Sequence, residues 1–172
     1  MINFDQLPQD NPFTLPAIDV YKAEIVEAKM TPSDGKPDYL NLKLKLTNKA
    51  GKTVASIYDI ISESDAAVVQ YKTARFIRAC GLPLVGAMEL RDLAKLVQGK
   101  IIAVDVNHSK ESEYKGKTYP PKAQVDVFSR EAYYLLSEFD EIYNLVHASD
   151  EPEPDFVPDA DAAFNAPDGS AK

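Results

Sequence analysis

Nine consecutive residues, Tyr39 to Thr47, read YLNLKLKLT and alternate without a break. Leu40, Leu42, Leu44 and Leu46 fall on one face, with Asn41, Lys43, Lys45 and Thr47 on the other. Side chains of a strand point to opposite faces in turn, so this is a half-buried strand. One strand cannot bury four leucines alone. The chain must bring further strands or helices over that face.

The neighbouring segments supply them. Ile18 to Met30 reads as a first strand that groups Tyr21, Ala23 and Ile25, and its phase shifts near Glu27, which predicts a bulge there. Ala50-Gly51-Lys52 looks like a hairpin turn into a third strand, Thr53 to Ile61, apolar on both faces and so without an assignable inward side. Ser64-Asp65 can cap a helix that runs to Cys80 and stops at Gly81 and Leu82-Pro83, with Val69, Thr73, Phe76 and Cys80 as its apolar stripe. A short helix, Glu89 to Val97, is expected to bury Leu90, Leu93 and Leu96. Two strands follow, Lys100 to His108 (Ile102, Val104 and Val106 inward) and Lys122 to Ser129 (Ala123, Val125 and Val127 inward). Ser129 then caps a last helix to Val146, apolar at Ala132, Leu135, Phe139, Ile142 and Val146; that spacing suits packing onto the sheet or a homodimer seam. Three strands, a helix and two closing strands are the element order of a five-stranded OB-fold barrel. The expected class is mainly β, with a mid-chain helix and an appended C-terminal helix.

The ends differ from this body. Residues 1–17 are proline-rich and read as an extended arm. Residues 148–172 carry seven acids and four prolines with almost no aliphatic side chains, so they cannot offset their ordering entropy and read as a disordered acidic tail. The formal charge of −8 hides this division. Ile18 to Arg130 is net +4, and Glu131 to Lys172 is net −10. Met1 to Asp5 lacks the features of a signal peptide, and no apolar run approaches the roughly 20 residues of a membrane span. A lone cysteine, Cys80, leaves no internal disulfide. The expectation is a cytoplasmic protein with no membrane partner.

Two groups of residues suit nucleic acid. On the second strand and its neighbour, Lys43 and Lys45 could meet phosphates, while Tyr39 and, on the third strand, Tyr58 could stack on bases. The bland alternative is a wet outer face. Between the last two strands, Lys110, Lys115, Lys117 and Lys122 are interleaved with Tyr114 and Tyr119, although Glu111 and Glu113 dilute their charge. Cations beside rings are what a single-strand groove uses; the alternative is a solvated hairpin turned by Gly116. Lys72, Arg75 and Arg78 make a basic helix surface that Glu63 or Asp65 could neutralise. Phe128, outward on its strand, suits packing under the final helix.

Catalysis has little to work with. Two histidines and one cysteine, the latter on an apolar stripe, offer no metal site or activated thiol, and no glycine-rich phosphate loop occurs. A carboxylate nuclease would have to use Asp59, Asp105 and Asp126, each isolated in its strand. No cofactor or metal is expected, and the chain reads as a binding protein.

The strand YLNLKLKLT after a first strand ending near Ala28-Lys29, the helix closing on Gly81-Leu82, and the strands bracketing EYKGKTYPP together resemble the phage-encoded single-stranded DNA-binding proteins. The resemblance covers residues 18–130 and the acidic tail. It implies an OB fold, coating of exposed strands in DNA replication and recombination in the host cytoplasm, and recruitment of replication or recombination proteins through residues 148–172. Many such tails end in a terminal Phe, whereas this one ends Gly169-Ser170-Ala171-Lys172, with Phe156, Val157 and Phe164 further in. A tail of this charge could also fold back on the basic groove and compete with nucleic acid. The rival classes are an OB-type protein-interaction module and, further off, the carboxylate nuclease.

Overall fold

The structure is a computed structural model that describes residues 15–32, 34–127 and 130–148. Most of the expected arm and nearly all of the expected tail, with Phe156, Val157 and Phe164, lie outside the described residues, as do Phe128 and Ser129. The architecture is mainly β: six antiparallel strands in one sheet, a separate two-stranded ribbon and three helices. Among the described residues no helix is long and apolar enough to cross a membrane.

Three strands form a meander, β1 (Asp19–Thr31), β2 (Tyr39–Thr47) and β3 (Thr53–Ser62). β2 behaves as its alternation demands: the four leucines are fully buried and the residues between them half-exposed. The turn into β3 is held by Asn48, whose side chain accepts a hydrogen bond from the Lys52 N–H, and Gly51 sits at φ +83°, a conformation glycine adopts at no steric cost. In β1 the register passes from Ile25 opposite Leu44 to Glu27 opposite Lys43, which leaves Val26 unpaired. This is the expected bulge. It changes which residues face outward, from Lys22 and Glu24 before it to Glu27, Lys29 and Thr31 after it. The register also settles β3: Ile57 and Ile61 face the leucines with Asp59 between them, and Tyr58 and Ile60 face out.

The chain then forms α1 (Ala67–Ala79) and α2 (Leu90–Val97), which cover the leucine face. Two expectations need correction. No side chain caps α1: its N-cap is Ala66, and Ser64 instead accepts the Ala66 N–H. In α2 Leu96 is exposed and Ala94 and Val97 are buried with Leu90 and Leu93, because positions 90, 93, 94 and 97 make one stripe at 3.6 residues per turn.

β4 (Ile101–His108) pairs with the first half of β1. The connector after it folds into the ribbon, β5 (Ser112–Tyr114) and β6 (Lys117–Tyr119). The chain returns along the far edge of β4 as β7 (Ala123–Val125), leaves it, and rejoins as β8 (Tyr133–Tyr134). The expected long final helix is therefore wrong from Arg130 to Glu138. A 3-10 turn, Leu136–Glu138, leads into α3, which spans only Phe139–His147. Ala132 and Leu135 have helical spacing to Phe139, but Tyr133 and Tyr134 are both buried, on opposite faces, as only a strand allows.

Two cores result. The inner one joins the leucines to Phe76, Val104, Tyr133 and the stripe of α2, with Phe76 and Tyr133 edge-on at 5.3 Å. The outer one gathers Val20, Ala103, Tyr134 and Phe139 under α3. The main sheet is not closed: no ladder joins β3 to β7, although the two approach each other. Side chains bridge the seam beside them, where Asp59 of β3 accepts hydrogen bonds from Lys72 of α1 and Tyr133 of β8.

Candidate nucleic-acid interface

The proposed site residues fall into two groups. The first lies on the outer face of β1, β2 and β3. Here Lys43 stands between Glu27 and Tyr58, and Lys45 between Glu24 and Ser56. Asn41 stands between Lys29 and Ile60, and donates a hydrogen bond to Thr31 Oγ1. Tyr39 is half-buried at the start of the row, whereas Tyr58 is 68% exposed and Ile60 is exposed beside it. Tyr39, Lys43, Lys45 and Tyr58 thus share one face; spacing implies this for the β2 residues, and the register places Tyr58, whose side the sequence left open. Two features of that face were not foreseen. Lys45 Nζ is 2.8 Å from Glu24 Oε2, and Ile60 adds an apolar surface next to the ring. The inward alternation of Tyr21, Ala23 and Ile25 was the signal for the first, since it leaves Glu24 outward opposite Lys45.

The second group is the ribbon. Lys115 (φ +51°) and Gly116 (φ +74°) both take left-handed backbone, the requirement of a two-residue type I′ turn. The register sets Tyr114 opposite Lys117 and Ser112 opposite Tyr119, so Tyr114, Lys117 and Tyr119 share one face, with the two rings diagonal to each other. Lys115 Nζ lies 5.3 Å from the Tyr114 ring centre and Lys117 Nζ 5.7 Å from that of Tyr119, within cation–π range. Every residue of both strands is exposed. Ser109 and Lys122 close the base: each backbone N–H is bonded by the other residue. This places Lys110 and Lys122 together there. None of these four lysines makes an ion pair among the described residues.

The helix cations are differently employed. Lys72 binds Asp59, Arg75 reaches Glu131 at 3.2 Å and Arg78 reaches Glu138 at 2.5 Å. They are neutralised, but by acids distant in sequence rather than by Glu63 or Asp65, and they fasten α1 to β3 and to the segment before α3.

The three strand acids do not converge. Asp59 faces the inner core, where burial raises its pKa against the pull of Lys72. Asp105 lies on the other side of the sheet, 1% exposed, and accepts a 2.6 Å hydrogen bond from the Tyr134 hydroxyl. Burial pushes its carboxyl up to about 6, with the Tyr134 bond and Arg130 opposing and Asp126 and Glu131 adding to the rise. Asp126 is buried close by, and its N–H bonds the Asp105 carbonyl. Among the described residues no three His, Cys, Asp or Glu are grouped to hold a metal ion. Cys80 is buried, and desolvation pushes its thiol up to about 12, which leaves it protonated at neutral pH.

An apolar groove of about 390 Å³ opens between α1, α2 and the loop joining them, lined by Ile77, Leu82, Leu84, Val85, Met88 and Leu93. Compared with known proteins, the sequence matches no family model and no curated protein.

Proposed function

We propose that this chain binds single-stranded DNA without sequence preference and without catalysis, as an OB-type domain. The observation that carries the reading is the ribbon, where two tyrosines share one exposed face beside four lysines that make no ion pair among the described residues. Every base offers a π-face, so stacking on tyrosine is indifferent to sequence, and unpaired lysines attract the backbone. The outer face of β2 and β3 adds Tyr58, Tyr39 and Lys43. Support for the OB reading comes from the five-strand path β3-β2-β1-β4-β7 with helices between β3 and β4, the side chain of α1 that bridges to β3 at the open seam, and the site's place on the outer face of the second and third strands. On this reading the chain coats strands exposed during DNA replication and recombination, as the resemblance to phage proteins implies. Its acidic C-terminal residues compete for the basic surface or recruit partners.

Fluorescence anisotropy with a labelled oligo-dT and a duplex of equal length tests this. The expected result is tight, salt-sensitive dT binding and weak duplex binding. A Tyr114→Ala/Tyr119→Ala variant should lose about 1–3 kcal/mol per stacked base. Equal affinity for duplex, or none for dT, sinks the proposal. The groove between α1 and α2, with Leu84, Val85 and Met88 exposed at its rim, favours a second reading, a protein-interaction module, which indifference to oligonucleotide and salt would support.

A further inference from the structure

We propose that Glu24 and Glu27 compete with DNA phosphates for Lys45 and Lys43 of β2, so that strand binding on this face exchanges a carboxylate for a phosphate. The inference rests on the single-strand reading above and deepens it. Glu24 lies directly opposite Lys45 and Glu27 directly opposite Lys43, and Glu24 Oε2 is 2.8 Å from Lys45 Nζ. Directly opposite side chains on one face are near enough to interact.

The placement depends on an irregularity. Residues 24 and 27 are three apart, so in a regular strand they would point to opposite faces and residue 27 would enter the core. The unpaired Val26 re-aims the chain and puts Glu27 beside Glu24, each against a lysine. Lys45 therefore carries its own countercharge in an ion pair, and Lys43 has an acid directly across the ladder from it.

A phosphate that reaches Lys45 releases Glu24 instead of a condensed counterion. That contact adds little to the salt dependence of binding, which falls instead to the unpaired lysines of the ribbon. Both partners of the Glu24–Lys45 pair are more than a third exposed, and an exposed pair is weak enough to be given up. The ribbon captures the strand, and the sheet face accepts it only where the phosphate displaces the acid.

The test is a Glu24→Gln/Glu27→Gln variant of the full chain, titrated with labelled oligo-dT across a salt series beside wild type. Affinity at low salt should rise roughly tenfold, and the slope of log affinity against log salt should steepen by about 0.7 for each lysine freed. Adding Lys43→Ala/Lys45→Ala should abolish both changes. A Glu89→Gln/Glu141→Gln control removes two exposed carboxylates, one just before α2 and one in α3; it should raise affinity less and leave the slope alone. Thermal melts confirm that each variant folds. A response no larger than the control's overturns the inference and leaves the single-strand reading standing. No dT binding by wild type or variant overturns both.

Discussion

Single residues carry more of this fold's tension than its composition suggests. Asp105 is the clearest case. Its carboxyl titrates near 6 inside the protein against 3.8 outside, so the folded state holds the proton more tightly than the unfolded one. The stability this provides is complete below the unfolded value and is lost as pH rises through the folded value; the loss is roughly 3 kcal/mol. Asp105→Asn cannot ionise and keeps an oxygen for the Tyr134 hydroxyl. Its melting temperature relative to wild type should therefore climb between about pH 4 and pH 7. A flat difference across that range would show that Asp105 does not titrate there. Asp59 and Asp105 stood out in the sequence as lone acids in apolar strands. What answers them did not, because Tyr133 and Tyr134 lie 74 and 29 residues away and only the folded sheet sets them on opposite faces.

At the scale of the element, legibility followed burial. β2 could be read to the residue because one face is wholly buried and the other wholly outward. The bulge in β1 was legible for the same reason, as a change of phase in a buried pattern. The run from Ala132 to Val146 was misread because residues at helical spacing hid two consecutive tyrosines that needed a strand. The ribbon was the least determined, since its strands bury nothing and only its turn chemistry speaks. That turn is testable. Gly116 sits at φ +74° with open space where a Cβ would go, so Gly116→Val costs backbone strain without a clash. The variant should lose ribbon order, seen as collapsed amide dispersion for residues 112–119 by NMR, and bind oligo-dT more weakly. Its melting temperature should stay near wild type, because the ribbon lies outside both cores. A large fall in melting temperature would mean that the ribbon belongs to the main fold.

For the whole molecule, charge layout was the most legible property and closure of the sheet the least. Sequence gives the element order but not whether the two ends of a sheet meet, and here they are joined by Asp59, Lys72 and Tyr133 rather than by a ladder. The charge layout makes its own prediction. Residues 149–172 carry seven acids and one lysine, so a chain ending at Ala148 has a formal charge of −2 instead of −8. It should bind oligo-dT more tightly at low salt and converge with the full chain once salt screens the difference. Equal affinities at all salt concentrations would leave these residues without an electrostatic role in binding. The ribbon has one more consequence, for the chain as a covalent object. Lys115 lies at its tip, outside both cores. A single cut there would yield two pieces, 1–115 and 116–172. The pairing of β4 with β7 and β8 and the contact of Phe76 with Tyr133 would still hold them together. The backbone can be severed at that point while every contact of both cores stays in place.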